Sequence, residues 1–347
     1  MMMSVMRKYK ETIIQIVQWI MAVIVAAIIC NTFLFVYHRP TGWIDRDKGA
    51  TNSIWDPGTW IVWGTEGRSI RQVDRNGYLN EDKELSEDGY VLVVGTSHTQ
   101  GKEVGKGKRY TDILNEYMMR STEKLEVYNC SQDSYYFPKV AKGFVAINEE
   151  FKDAKSIIIE MGSVEWKVSE LENALSQREY DFMQNGSVIK DVLPKSKLIS
   201  LKIKEWFPIY SNIKVQFENK RNAETDNVAD TISENESDYE KAVDRVLNLM
   251  CTEFDGQLII MYHPSVQITE NGMQIKYEDK LKEFENLCKD NDIIFVDMSE
   301  EFIDAYKSEY SVPYGFNNTT MGNGHLNVKG HKIIADKLYD VLKENVN

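Results

Sequence analysis

A hydroxyl and an imidazole are the two groups in this chain best suited to joint chemistry. Ser97 stands in Val91-Leu-Val-Val-Gly-Thr-Ser-His-Thr-Gln-Gly101, where an apolar run of strand type meets a glycine and turns toward a helical pattern at Tyr110–Met118. That layout lifts the serine to the carboxyl end of a strand, where open α/β sheets place their ligands. His325 stands far downstream, in Gly324-His-Leu-Asn-Val-Lys-Gly-His331, just ahead of a final helix. A serine hydroxyl is a weak nucleophile at its own pKa and needs an adjacent base to take its proton. Taken singly, Ser97 also reads as a capping turn residue and His325 as a structural hydrogen-bonder. Together they point to nucleophilic acyl chemistry.

The two groups can meet only if a sheet brings them to one rim. Val91–Val94, Leu125–Asn129, Ile157–Met161, Gln257–Tyr262 and Ile293–Val296 read as five buried strands. Between them lie the amphipathic stretches Tyr110–Met119, Lys139–Phe151, Tyr239–Phe254 and Tyr277–Asp290, and a last helix runs from Val328 to Leu342. Strands alternating with helices predict an α/β fold, a doubly wound five-stranded and mostly parallel sheet, over residues 90–347. Residues 171–238 break the rhythm as a polar insertion, helical in part around Leu198–Phe207 and acidic from Asn222 onward, which reads as a mobile loop. Residues 38–89 hold too few apolar side chains for their own core and read as a lead-in packed on the main domain. There, Trp60-Ile-Val-Trp63 and the turn signal Asp74-Arg-Asn-Gly77 suggest short strands or a hairpin.

Ahead of these segments, Ile13–Tyr37 is almost wholly apolar and about long enough to cross a hydrocarbon core. A cleavable signal would have a shorter apolar stretch and a small-residue cleavage site, so an uncleaved anchor over 12–37 is expected after a tail of residues 1–11. Arg7, Lys8 and Lys10 precede the span, while Arg39, Arg46 and Lys48 follow it, so the positive-inside bias is slight. The very short tail favours an inside N-terminus. The expectation is a single-pass cell-membrane protein with its main domain extracytoplasmic.

The formal charge of −13 argues against a nucleic-acid partner, which would require a basic face, and none is visible. Cys30, Cys130, Cys251 and Cys288 show neither metal-ligand spacing nor a disulfide framework, and read as packed thiols. No histidine–carboxylate cluster has metal spacing, and no Gly-Lys-Ser/Thr phosphate loop occurs, so neither metal nor cofactor is expected.

Gly95-Thr-Ser-His-Thr-Gln-Gly101 resembles the first block of the SGNH hydrolases, the GDSL-type esterases, and the block around His325, Asn327 and Gly330-His331 is similar to the one carrying their catalytic histidine. The resemblance covers roughly Tyr90 to the C-terminus apart from the insertion, and implies their flavodoxin-like fold. It makes Ser97 the nucleophile and His325 the base, with the backbone N–H groups of Ser97 and Ser134 as the oxyanion hole. Thr96 stands where the family has Asp, a variant seen in the membrane-anchored alginate-type O-acetyltransferases. Ser134 aligns with the family's oxyanion glycine. Val164 aligns with its oxyanion asparagine and has no side-chain donor, which leaves Ser163 as a substitute. The acid that orients the histidine is missing: Gly322 and Asn323 occupy its two usual places. A dyad, an Asn323-assisted triad, and a carboxylate from elsewhere (Asp133 or Glu165) all remain open. His263, after the fourth strand, lies on the ligand side and is a candidate substrate contact, while His98 reads as packing or solvent-facing. Trp166 and Tyr135 are candidates for the cleft lining or the core.

Two functions follow. One is a membrane-anchored serine esterase or O-acyltransferase, acetyl by analogy, with a cell-surface glycan or other acyl ester as substrate. As a transferase it would need an acyl donor, supplied by a multi-span membrane partner. The other is a catalytically silent module of this fold that binds glycan or scaffolds an envelope complex. Losses at Val164 and Gly322 favour silence, and retention of Ser97 with His325 favours the enzyme.

Overall fold

The computed structural model describes residues 2–37, 57–58, 60–64, 66–81, 85–122, 124–178 and 236–345. Most of the anticipated insertion, including the helix expected around Leu198–Phe207 and the acidic run from Asn222, lies outside the described residues. Helix α1 (Met2–Tyr37) contains the stretch Tyr9–Cys30, with a mean hydropathy of 2.6, long and apolar enough to cross a membrane.

The main sheet holds β3 (Tyr90–Val94), β4 (Glu126–Asn129), β5 (Ala154–Met161), β6 (Gln257–Tyr262) and β9 (Ile294–Asp297). Their spatial order is β4-β3-β5-β6-β9, and every pairing is parallel. Numbered within this sheet, that is the 2-1-3-4-5 order of doubly wound flavodoxin-like folds. Strands covered on both faces read as unbroken apolar runs, and side chains on one strand alternate between the two layers. Leu92, Val94, Ile157, Ile159, Leu258 and Ile260 enter one core, and Val91, Val93, Ile158, Ile259 and Met261 enter the other.

Four helices cover the first core: α4 (Phe137–Glu150), α5 (Val168–Ser176), α6 (Glu236–Glu253) and α7 (Leu281–Asp290). The second is covered by α3 (Tyr110–Arg120), α8 (Ser299–Glu309) and α9 (Val328–Asn345). The expected strands and helices are found with their ends shifted by a few residues. Helices α5 and α8 and a hairpin of β7 (Val266–Thr269) and β8 (Gly272–Ile275) are additions. All four cysteines are free thiols, with Cys130 and Cys288 buried in the first core.

The lead-in forms an antiparallel hairpin of β1 (Trp60–Trp63) and β2 (Ser69–Gln72). Its closing pair is Trp63 with Ser69, so the reversal is not at the Asp74–Gly77 turn signal. That second turn is a separate loop, closed by Asp74 Oδ1 accepting from the N–H groups of Asn76 and Tyr78. Arg71, fully buried on β2, pairs with Asp112 at 3.1 Å and Glu81 at 3.4 Å, which ties the hairpin to the N-terminus of α3.

Candidate active site

Ser97 opens α2 (Ser97–Gln100), a single turn directly after β3. The chain reverses its winding direction at β3, so this is the switch point where such sheets bind ligands. Thr96 caps the turn, and Gly101 ends it in the left-handed conformation. The turn is held from below by Glu160 on β5, which is fully buried. Its carboxylate accepts from the Thr96 N–H (2.6 Å), the Thr96 hydroxyl (2.9 Å) and the Thr99 hydroxyl (3.0 Å), and meets His263 Nε2 at 2.6 Å. Burial alone would raise this acid, but the hydrogen bond and charge of His263, with smaller pulls from His98 and the Thr96 N–H, prevail and bring it down to about 2. A Cβ at Gly95 would lie 2.4 Å from Glu160 Oε2, so only glycine lets the strand end approach this carboxylate.

His325 comes from the loop ahead of α9. Asn327 pins that loop by donating to the carbonyls of Val312 (2.8 Å) and Gly315 (3.0 Å), while its Oδ1 accepts from the Lys329 and Gly330 N–H groups and caps the helix. His325 Nε2 lies 2.8 Å from Ser97 Oγ. The alcohol and the imidazole thus meet across 228 positions of sequence.

The other nitrogen of the His325 ring meets Glu66. Its Oε2 lies 2.6 Å from His325 Nδ1, and its Oε1 accepts from the His325 backbone N–H at 2.7 Å. A carboxylate at Nδ1 places the proton there and leaves Nε2 free to accept from the serine. Gly324 has φ +82°, and a Cβ on it would strike Glu66 Oε1 at 2.2 Å, so the residue before the histidine must be glycine. The hairpin turn that presents Glu66 is held by Asn318 of the histidine's own loop. Asn318 accepts from the Gly67 N–H (2.9 Å) and donates to the carbonyls of Gly64 and Gly67.

Asn323 therefore does not orient the ring. Its Oδ1 accepts from the neighbouring Gly324 N–H, and the side chain is exposed at the mouth of the cleft. Neither Asp133 nor Glu165 takes the role: Asp133 pairs with Lys102, and Glu165 accepts from the Asp279 N–H. The Ser163 hydroxyl is engaged elsewhere. It donates to Glu278 at 3.1 Å, and the same carboxylate takes the Val164 N–H. His263 lines the cleft wall, but protein partners engage both its nitrogens, Glu160 at Nε2 and the Tyr314 hydroxyl at Nδ1 (2.8 Å). Trp166 stacks on Phe137 in the first core, and Tyr135 packs against it.

Ser134 has φ 58°, the left-handed backbone that favours glycine, at the position that aligns with a glycine in the SGNH hydrolases its sequence resembles. No hydrogen bond among the described residues uses its N–H or that of Ser97. The Ser134 loop is drawn to the turn after β3 by the Gln132 N–H bond to Gly95 O (3.0 Å) and by the Lys102–Asp133 pair. Beside the dyad lies a cleft of about 140 Å³, lined by His98, Gly162, His263, Ser265, Val266, Tyr314 and Gly322–Gly324.

A second carboxyl group stands behind the histidine. Glu103 Oε1 lies 3.7 Å from His325 Nδ1, and both its oxygens are buried without a hydrogen-bond partner. Burial pushes this acid up to about 7, against the pull of His325 and Lys102. Its ordinary value is 4.5. Between those values the unfolded chain has released the proton and the folded chain retains it, so stability falls as pH rises through this window. The loss is on the order of 3 kcal/mol. Glu103→Gln is expected to flatten that part of the profile, with melting midpoints at pH 5 and pH 8 drawing together. A profile as steep as the wild type's would assign the slope to another group.

No protein family and no curated protein sequence matches the chain. Among solved structures it is similar to TesA, at 10% identity and a TM-score of 0.38, over 74% of this chain and 99% of that one. An acetyl xylan esterase, AlAXEase, shows 12% identity and a TM-score of 0.39, over 73% of this chain and 99% of its own. The periplasmic domain of the lipopolysaccharide acetyltransferase of Salmonella ser. Paratyphi A shows 8% and 0.36, over 74% and 85%. These likenesses are distant; two of the three proteins are, by name, an esterase and an acetyltransferase.

Proposed function

We propose that the chain is an SGNH-type serine esterase or O-acyltransferase that works through Ser97, His325 and Glu66. The observation that carries this reading is the relay itself: Ser97 Oγ is 2.8 Å from His325 Nε2, whose other nitrogen is 2.6 Å from Glu66. Ser97 Oγ adds to the ester carbonyl carbon, its proton passes to His325 Nε2, and the carbonyl electron pair moves onto oxygen between the N–H groups of Ser97 and Ser134. Collapse expels the alcohol, which takes the proton from His325. Water, or an acceptor hydroxyl in a transferase, then repeats the sequence in reverse on the acyl-serine.

The finer reading is acetyl chemistry on a cell-surface glycan by a single-pass protein with its domain outside the cell. The anchored part of this reading is supported by α1, which is of membrane-spanning length and polarity. A transferase of this kind would draw its acyl group from a multi-span membrane partner. The silent-module alternative draws support from Val164, but it gives no reason for a carboxylate, an imidazole and a hydroxyl to stand in line.

The test uses the full-length protein in detergent micelles with p-nitrophenyl acetate and a fluorophosphonate probe. Wild type is expected to hydrolyse the ester and take the label, and Ser97→Ala to do neither. Equal behaviour of the two proteins would leave the silent module. Acetate release from an acetylated polysaccharide, compared with transfer to a deacetylated one, then separates esterase from transferase.

A further inference from the structure

The hole that would receive the oxyanion holds two backbone donors, and the place where the family carries a side-chain donor holds Val164. Its N–H and the neighbouring Ser163 hydroxyl are both bound to Glu278. Neither of these two groups is free to donate to a reacting carbonyl.

One side chain beside the nucleophile has the right chemistry. The His98 ring is wedged between His325 (centroids 5.0 Å apart) and His263 (4.7 Å), and it lines the 140 Å³ cleft. His98 Nδ1 accepts the Leu326 N–H at 3.3 Å, so the ring's proton sits on Nε2. No described group takes that proton. The Leu326 N–H belongs to the residue after the base, so one loop fixes both the base and the tautomer of its neighbour.

We propose that His98 Nε2–H is the third oxyanion donor, supplying from the residue after the nucleophile what Val164 cannot. This rests on the Ser97 mechanism above. As Ser97 Oγ bonds to the carbonyl carbon, the oxygen that gains the electron pair accepts a hydrogen bond from Nε2–H, and the proton stays on His98 throughout. A donor of this kind must remain neutral, so that it neither repels the imidazolium formed at His325 nor gives up its proton. Burial, then the charges of His263 and His325, hold His98 well below the ordinary histidine range, and Glu160 only partly offsets them. Within the cleft, Tyr314 is no competitor, because its hydroxyl donates to the Pro264 carbonyl at 2.7 Å.

The experiment measures steady-state hydrolysis of p-nitrophenyl acetate and fluorophosphonate labelling in the full-length protein. His98→Phe keeps an aromatic ring in the wedge and removes the donor. It is expected to lower kcat by about 10²–10³-fold with KM within a few-fold, and His98→Asn to recover part of the loss. An unchanged kcat in a normally labelled His98→Phe protein overturns the proposal while leaving the Ser97 mechanism standing. Absence of labelling in wild type would remove both. Should His98→Phe fail to fold, wild type carrying nitrogen-15 histidine answers instead: the Nε2–H resonance of His98 is expected to move when Ser97 is phosphonylated, and a stationary resonance overturns the assignment.

Discussion

Glu66→Gln is expected to lower kcat for a short-chain ester by about 10⁴-fold while leaving the fold intact. The amide offers no net charge to the imidazolium that forms at His325, and it can present its NH₂ to Nδ1, which would reverse the tautomer. With the proton on Nε2, the ring cannot accept from Ser97, whose oxygen stands 2.8 Å away. Glu66 also holds the His325 backbone N–H at 2.7 Å, so one carboxylate fixes the ring and the loop beneath it. Glu66→Ala is expected to do at least as much damage and to loosen the loop as well. Steady-state rates at pH 7, beside melting curves, separate the two effects. Wild-type turnover in Glu66→Gln would reduce the relay to a serine–histidine dyad.

His325→Ala and Ser97→Ala are each expected to remove about 10⁶ in kcat, with the double variant no worse than either single one. The two side chains form one proton path, so removing either leaves nothing for the other to do. A residual rate above the uncatalysed reaction is expected in all three proteins, because the backbone donors at Ser97 and Ser134 remain. Losses that multiplied in the double variant would mean that the two groups act independently. That result would contradict the relay.

The sheet was legible in the sequence because every strand is covered on both sides, and such strands announce themselves as runs like Val91–Val94 and Ile157–Ile159. Ser97 and His325 were legible because each stands at the end of a recognisable element. Glu66 was not. It sits in a hairpin turn with no periodic neighbours, 259 positions from the ring it serves, and nothing local marks such a pairing. The one trace was the glycine on each side of the contact, Gly67 and Gly324, both in left-handed conformations. Ser163 was offered as a substitute donor, but Glu278, 115 positions away, claims its hydroxyl. His98 was read as packing or solvent-facing; the ring does pack between His263 and His325, and its bond to the Leu326 N–H is one that no local pattern reveals.

The acid comes from ahead of the first strand of the main sheet and the base from just ahead of the last helix, so the order along the chain is Glu66, Ser97, His325. A ribosome therefore delivers the acid and the alcohol early and the imidazole last. Throughout most of translation the nascent polypeptide displays a serine with nothing to deprotonate it. Under the proposed mechanism, competence waits on the histidine's loop, the last of the three segments to be made.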